Sequence, residues 1–394
     1  MQPQPKPVKP GRSQADLILI GVFWLLLWAP SLDTVFRVDH SRQPGENRLP
    51  AQFPIWDHVH PAAVQRYLTG LDNYFADHFG FRNKLIRWFQ NLKISLFHDR
   101  SVYNVIAGQH GWLFSSDLKM IEHYLGIARF TSGELEQWQS LLEKRRDWLA
   151  KQGIEYLFVI PPDKQSIYPE ELPQWLLNAT PTNRSCKLDQ FLQHMAKNST
   201  IRILDLRPPL LDAKNVRPTY LKNDSHWNLY GGFIACQELI KVLSRPFADL
   251  PPLLISDFAW SNAPATGGDL ARILGSEFPD QNLFQVTPGN GLVPLATVLA
   301  TNIDSVWDQH RMVVITENPS PRARSAMVFN DSYGDALHPF LGYSFKRVVY
   351  VHDNREFNPS AILANKPDVV ISEMLQRYFN TLSPVELLAK EPLP

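Results

Sequence analysis

Cysteine is nearly absent: two residues, Cys186 and Cys236, serve 394 positions, and they form no C-x-x-C pair. That excludes a cysteine-built metal cage and a dithiol redox motif. It leaves open two small buried hydrophobes or one disulfide between them. Net charge is missing as well. Lys plus Arg and Asp plus Glu each number 39, so no global field draws in a polyanion, and nucleic-acid binding is not expected. No internal repeat is visible, and no low-complexity tract lies beyond the first dozen residues. What the chain has in quantity is apolar and turn-forming residues: 44% hydrophobic, with 11 Trp, 22 Phe and 32 Pro. Such a chain buries a sizeable core and fixes many of its turns, so it reads as globular.

Charge is also lacking from Leu17 to Leu32, where Ile18, Leu19, Ile20, Val22, Phe23 and Leu25 to Leu27 follow a tail carrying Lys6, Lys9 and Arg12. Basic residues stay on the cytoplasmic side, so this segment reads as an export signal that sends everything after Asp33 across the membrane. Two outcomes remain open. The apolar stretch is short for a span, and Ala29-Pro30-Ser31 suits signal-peptide cleavage. Trp24 and Trp28, with the long basic tail, suit an uncleaved anchor that keeps the body on the far side of the membrane. The expected organisation is a cytoplasmic tail over 1–16, a signal anchor over 17–32, a linker over 33–60 and one globular domain over 61–394.

Within that domain, Val64, Leu68, Leu71 and Phe75 fall on one helical face, and Leu85, Phe89, Leu92 and Leu96 on another, predicting two amphipathic helices. Thr131 with Glu134 reads as a capping box opening a helix with the stripe Leu135, Trp138, Leu142 and Leu149, and Gly153 ends it. Short apolar runs at Ile154 to Ile160, Ile201 to Leu206, Met312 to Ile315, Ala326 to Phe329, Val348 to Val351 and Val369 to Ile371 look like buried strands. Their alternation with helical patterns implies an α/β fold with a parallel sheet flanked by helices. The region of about 250–312, rich in Val, Thr, Pro and Gly around Leu283 to Leu299, breaks the rhythm and is expected to be a β-rich insertion.

In an open α/β sheet, reactive groups collect beyond the carboxyl ends of the strands. Asn330-Asp331-Ser332-Tyr333-Gly334-Asp335 stands there, which would place Ser332 on a tight strand-to-helix turn with free N–H groups facing any oxyanion beside it. Asn223-Asp224-Ser225-His226-Trp227-Asn228 precedes a helical pattern beginning near Leu229. A serine hydroxyl needs a base, and a neutral imidazole oriented by a carboxylate supplies one. His226 is the candidate base, and Asp224, two residues earlier on an extended stretch, the candidate orienting acid. Taken alone, each segment has a plainer reading, the first as a helix cap and the second as a loop. A metal site on Asp224 and His226 lacks a third ligand at a recognisable spacing.

These segments resemble the alginate O-acetyltransferases of the AlgJ and AlgX type, a branch of the SGNH (GDSL-like) hydrolases. The resemblance runs from about Asn47 to about Asn380. It rests on Asn73 to Arg82, on Gly111-Trp112-Leu113-Phe114, on Pro161 to Pro169, on Asp224-Ser225-His226-Trp227, on Asn330-Asp331-Ser332-Tyr333, and on Lys366 to Glu373 with Arg377. It implies an SGNH-like fold and acetylation of an exported polysaccharide, alginate or a similar polymer, through an acyl-enzyme on Ser332. The acetyl group would come from a membrane-bound O-acyltransferase partner beside other export proteins, with no metal or soluble cofactor. The backbone N–H groups of Ser332 and Tyr333 would be the oxyanion donors. Asn330 departs from the usual Gly, and its side chain would either narrow the approach to Ser332 or add a donor. The short stretch after Arg377 leaves no room for the carbohydrate-binding module of AlgX, so the architecture is expected to be closer to AlgJ. Trp227 would either pack under the sheet or stack on a sugar. Lys164 would be a solvated loop residue or a ligand contact. Arg377 and Glu373, four apart on an expected helix, would be an ion pair or touch substrate. The same triad with water as acceptor would be an acetylesterase, and a non-catalytic polysaccharide-binding scaffold is the third reading.

Overall fold

The structure is a computed structural model that describes residues 14–36, 38, 51–56, 61–82, 84–85, 88, 101–102, 104–263, 265–274, 279–280, 282–289, 291–300, 312–352 and 357–390. It divides into two compact units, residues 1–99 with 273–275, and residues 100–272 with 276–394. The first unit carries α1 (Gln14–Phe36) and α2 (Pro61–His78). The stretch 14–34 of α1 is long and apolar enough to cross a membrane by length and composition, and Leu19, Phe23, Leu26 and Trp28 along it are exposed. The second amphipathic helix, expected over Leu85 to Leu96, falls mostly outside the described residues.

The second unit is built on one seven-stranded sheet. Along the chain its strands are β1 (Glu155–Ile160), β2 (Ile203–Asp205), β3 (Ala296–Ala300), β4 (Val313–Glu317), β5 (Ser325–Asn330), β6 (Arg347–His352) and β7 (Val369–Glu373). Their order across the sheet is β3-β4-β6-β5-β7-β1-β2. From β6 to β2 every pairing is parallel, while β3 and β4 join antiparallel at the far edge. The sheet is therefore mixed: the expected parallel sheet forms its body, and two antiparallel strands extend it at one edge. The expected insertion contributes β3 as the edge strand of this sheet, paired antiparallel with β4. Elsewhere in that region, Phe258–Asn262 pairs with Phe284–Pro288 and Ala265–Thr266 with Pro279–Asp280 as two-stranded ladders.

Strand pleat assigns the two faces of the sheet. Along β1, Leu157 and Val159 enter the same core as Val328, Tyr350 and Ile371, which is covered by Phe233, Leu239 and Leu243 of α5 (Leu229–Leu243). Phe158 and Ile160 point the other way, onto Trp138 and Leu142 of α3 (Ser132–Lys151) and Phe191 of α4 (Lys187–Asn198). The expected capping box opens α3: Thr131 Oγ1 accepts from the Glu134 N–H, and Glu134 Oε2 accepts from the Thr131 N–H at 2.8 Å. Both cysteines are buried free thiols. The three central strands β5, β7 and β1 run in parallel and end at one edge, so the segments after Asn330, Glu373 and Ile160 gather there.

Helix α5 presses on the turn that follows β5 with almost no space between them. A Cβ at Gly232 would stand 2.5 Å from the Ala336 carbonyl oxygen and 2.6 Å from its Cβ. We expect Gly232→Ala to lower the free energy of unfolding by about 1–3 kcal/mol through overpacking, read from the midpoint of urea denaturation. An unchanged midpoint would show that the helix has room to move away.

Candidate active site

Beyond Asn330 the chain leaves the sheet through Asp331, whose side chain caps a short 3-10 turn, Ser332–Leu337, by accepting the Tyr333 N–H at 2.9 Å. Asp331 is itself pinned from below. Its N–H donates to Glu373 Oε2 at 2.9 Å, and its Oδ2 accepts the Leu375 N–H at 3.3 Å. This buried carboxyl pair lies directly behind the serine. Burial first, and the negative charge of Asp331 second, hold the Glu373 carboxyl well above the usual carboxylate range. Ser332 follows at the surface, exposed, as an apical position on a tight turn requires.

The second segment, Asp224 to Trp227, ends where Asn228 caps α5 by accepting the Gly231 N–H at 3.0 Å. It places His226 Nε2 2.7 Å from Ser332 Oγ and Nδ1 2.6 Å from Asp224 Oδ1. Asp224 Oδ1 also accepts the His226 N–H at 3.0 Å, so carboxylate, backbone and imidazole close a compact turn. Three side chains separated by up to 108 positions thus form one hydrogen-bonded line from hydroxyl to imidazole to carboxylate. Burial pulls the His226 imidazole down, but its hydrogen bond to Asp224 and the charges of Asp224 and Asp269 outweigh that and leave it above its ordinary value. Burial likewise pushes Asp224 up, and the imidazole contact outweighs it, leaving that carboxylate well below its ordinary range. In this arrangement the imidazole can accept a proton from Ser332 and the carboxylate can hold the imidazolium that results.

The other residues singled out in the sequence occupy places that revise their expected roles. The Tyr333 N–H is committed to Asp331 Oδ1, so it is not free for an oxyanion. Among the described residues nothing accepts from the Ser332 N–H, and it is the donor left at the turn. Asn330 is 1% exposed and donates from Nδ2 to the Asp331 carbonyl at 2.7 Å, so it neither narrows the approach to the serine nor faces it. Trp227 is buried and donates from Nε1 to the Tyr333 carbonyl at 2.9 Å, which ties the histidine segment to the serine segment and leaves no face for a sugar.

Arg377 does not pair with Glu373. The helix expected there is strand β7 running into a 3-10 turn, Gln376–Asn380, which points the two side chains apart. Arg377 Nε donates to Asp163 Oδ1 at 2.7 Å, and a second nitrogen donates to Tyr333 Oη at 3.3 Å. Tyr333 Oη in turn donates to the Ser225 carbonyl. This chain of contacts joins the segments after β1, β7 and β5 to the histidine turn.

Lys164 is neither solvated nor placed as a ligand contact: it is 2% exposed. Its Nζ donates to the carbonyl oxygens of Leu221, Lys222 and Asp224 at 2.9, 3.0 and 2.6 Å, with the rings of Trp112 and Phe114 5.4 and 5.3 Å away. An ammonium has three N–H donors, and all three meet carbonyls of the turn that carries Asp224. Burial nevertheless pulls its pKa down to about 7, against the opposing charges of Asp224, Asp269 and Asp280. The motif segments Gly111 to Phe114 and Pro161 to Pro169 therefore meet at the underside of the histidine turn.

Asp269 was not legible in the sequence, because a lone Asp after Gly267-Gly268 carries no spacing signal. It supplies the third acidic or imidazole group that a metal reading lacked, with Asp224, His226 and Asp269 atoms within 4.8 Å of one another. The spacing is that of hydrogen bonds. Two ligands each about 2.0–2.1 Å from one tetrahedral ion stand more than 3 Å apart, whereas Asp224 Oδ1 and His226 Nδ1 are 2.6 Å apart. The Asp224 Oδ1 and His226 Nδ1 pair is thus spaced as a hydrogen bond and not as two ligands of one tetrahedral ion.

Residues 105–287 match the family described as ALGX, an SGNH hydrolase-like domain of the acetyltransferase AlgX. A probable alginate O-acetylase AlgJ of Azotobacter vinelandii is 27% identical over 147 residues, 37% of this chain and 35% of that protein. Its counterpart in Pseudomonas syringae pv. tomato is 26% identical over 211 residues, 53% of this chain and 51% of that protein. The aligned part spans about half or less of the length of these relatives. PatB1 of Bacillus cereus superposes with a TM-score of 0.52 at 16% identity, covering 71% of this chain and 98% of that one, which speaks to the fold alone. The resemblance to the AlgJ and AlgX type is borne out, and the fold is SGNH-like α/β with a mixed sheet flanked by helices.

Lys164 gives this site a pH signature in stability. The folded protein releases the Lys164 proton at about 7, the unfolded chain near 10.5. Between those values the unfolded state binds more protons, so this group makes the free energy of unfolding rise with pH. Urea denaturation across that window should show a smaller rise in Lys164→Met than in the wild type. Equal slopes would contradict the burial of a titrating amine.

Proposed function

We propose that this chain is a polysaccharide O-acetyltransferase that works through a Ser332-His226-Asp224 triad and an acetyl-enzyme, anchored in the bacterial inner membrane by α1 with its catalytic domain in the periplasm. The observation that carries the reading is the contact of one imidazole with a serine hydroxyl at 2.7 Å and a carboxylate at 2.6 Å, at the carboxyl edge of an SGNH-like sheet. The relatives named as alginate O-acetylases supply the acyl group and the polymer class: an acetyl group moved onto alginate or a similar exopolysaccharide.

The chemistry follows from the geometry. Ser332 Oγ attacks the carbonyl carbon of an acetyl ester while its proton passes to His226 Nε2. The Ser332 N–H stabilises the oxyanion, a contribution of the order of 2.7–4 kcal/mol for one well-placed donor. The tetrahedral intermediate expels the donor alkoxide, which takes the proton back from His226, leaving acetyl on Ser332. A sugar hydroxyl then gives its proton to His226 and attacks the ester, and Ser332 departs with that proton. Asp224 holds the imidazolium through both halves. The acetyl donor would be supplied by a membrane-bound O-acyltransferase, with other polysaccharide export proteins delivering the acceptor. No step requires a metal or a soluble cofactor.

The test is an assay of the full-length protein in detergent with a chromogenic acetyl ester and an oligouronate acceptor. Acetylated sugar is the expected product, and loss of the Ser332 hydroxyl in Ser332→Ala should cut the rate by roughly 10³- to 10⁶-fold. Acetate release with unmodified sugar would make it an esterase. An active Ser332→Ala would assign the chemistry to other residues, and a wild type without activity on ester or sugar would make it a scaffold. The pH profile has a defined sign: His226 must be neutral to act as base, so kcat/KM should rise with pH and reach half its plateau above the ordinary imidazole value, because the Asp224 contact holds the proton. A plateau already reached in acid would contradict His226 as the base.

A further inference from the structure

The imidazole of His226 faces a second carboxylate. Asp269 Oδ2 lies 3.8 Å from His226 Nδ1, the nitrogen that Asp224 also meets. The contact is held in place from four directions. Asp269 Oδ1 accepts the Ser225 N–H at 2.7 Å and Oδ2 accepts the Ser225 hydroxyl. The Asp269 N–H donates to Asp224 Oδ2 at 2.8 Å, filling the oxygen that the imidazole leaves unused. The Ala271 N–H donates to the Asn223 carbonyl at 3.1 Å. Backbone and side chain of the 269–271 segment therefore grip all of Asn223, Asp224 and Ser225, the three residues that lead into His226.

Such an approach is possible because Gly268 has no side chain. A Cβ there would stand 2.3 Å from the Asn223 carbonyl oxygen and 2.7 Å from the Asp224 Cβ, and Gly267 before it takes φ +79°, a backbone that favours glycine. The Gly267-Gly268-Asp269 sequence is what a loop needs in order to lay its own backbone against another and present a carboxylate at the end.

We propose that Asp269 is a positioning residue of the serine site, a second carboxylate that fixes the Asp224-Ser225-His226 turn and stabilises the imidazolium formed in each half-reaction. The proposal rests on the triad reading and deepens it. The charged groups around His226 are Asp224, Asp269, Arg377 and, behind the serine, Asp331, with Lys164 under the turn and drawn to both Asp224 and Asp269. Arg377 opposes the imidazolium, and its guanidinium is held by Asp163. Asp269 is the carboxylate that adds to Asp224 on the Nδ1 side.

Asp269→Asn separates charge from shape, since an amide can still accept the Ser225 N–H through its oxygen, and the Ser225 hydroxyl can reverse its role to accept from the amide nitrogen. Two readouts apply. Histidine-labelled full-length protein in detergent, with the His226 resonance identified by its loss in His226→Gln, should show His226 titrating at lower pH in Asp269→Asn than in the wild type. In the ester assay the acid limb of kcat/KM should move to lower pH with it. The plateau kcat should fall by about 10- to 100-fold, the usual cost of losing an outer carboxylate, against about 10⁴-fold for the directly bonded one. Asp269→Ala, which also removes the grip on Ser225, should lose more than Asp269→Asn. His226 titrating at the same pH in wild type and Asp269→Asn would overturn the proposal, and so would a kcat within twofold of wild type. The titration does not depend on catalysis, so an active Ser332→Ala would defeat the triad reading while leaving the placement of Asp269 to be decided by the resonance.

Discussion

One imidazole held between a hydroxyl and a carboxylate sets the demands that the rest of this unit meets. A hydrogen-bonded line of 2.7 and 2.6 Å tolerates little displacement, and its three members come from two segments that have no covalent reason to be near each other. The serine turn is located by the end of β5, the histidine turn by the start of α5. Their separation is then fixed by contacts that bridge them directly: the Trp227 N–H to the Tyr333 carbonyl, the Tyr333 hydroxyl to the Ser225 carbonyl, and the packing of Gly232 on Ala336. The sheet provides the platform, and these bridges provide the tolerance.

The layer under the site is unusually polar for a buried region. Lys164, Asp163 with Arg377, and Asp331 with Glu373 are all buried. Burying charge is costly unless partners meet it: three carbonyls face the ammonium and a carboxylate the guanidinium, while Glu373, raised by burial and by Asp331, accepts the Asp331 N–H through Oε2. An apolar layer of the same volume would pack at less cost but would have no directional bonds to impose on two turns. The polar layer trades stability for definition of the geometry above it.

Much of this was legible in the sequence for identifiable reasons. Apolar runs of three to seven residues located six of the seven sheet strands, and the Thr131 and Glu134 pair located the start of α3, because pleat and capping are local rules. Serine, histidine and aspartate could be singled out because each sits beside a boundary between elements. What local rules could not give was direction and partnership. The antiparallel edge formed by β3 and β4 depends on how an insertion folds back. Arg377 was matched with Glu373 on a helical spacing that a strand end abolishes, and its partner Asp163 lies 214 positions away. Lys164 was read from its loop setting, yet it is buried by aromatic rings from Trp112 and Phe114 that only the tertiary fold supplies. Asp269 left no local signal at all. The resemblance to the AlgJ and AlgX type carried the fold correctly, while the oxyanion role assigned by analogy to the Tyr333 N–H met an Asp331 side chain that already occupies it.

The central claim is that acetyl rests covalently on Ser332 between donor and acceptor. Rapid acid quenching of full-length protein during turnover of an acetyl ester, followed by peptide mass spectrometry, tests it most directly. A single acetyl group on the peptide containing Ser332, present without acceptor and discharged when oligouronate is added, is the predicted result. Sugar acetylation proceeding with no acetyl on that serine, or with acetyl on another residue that turns over at the catalytic rate, would contradict the account.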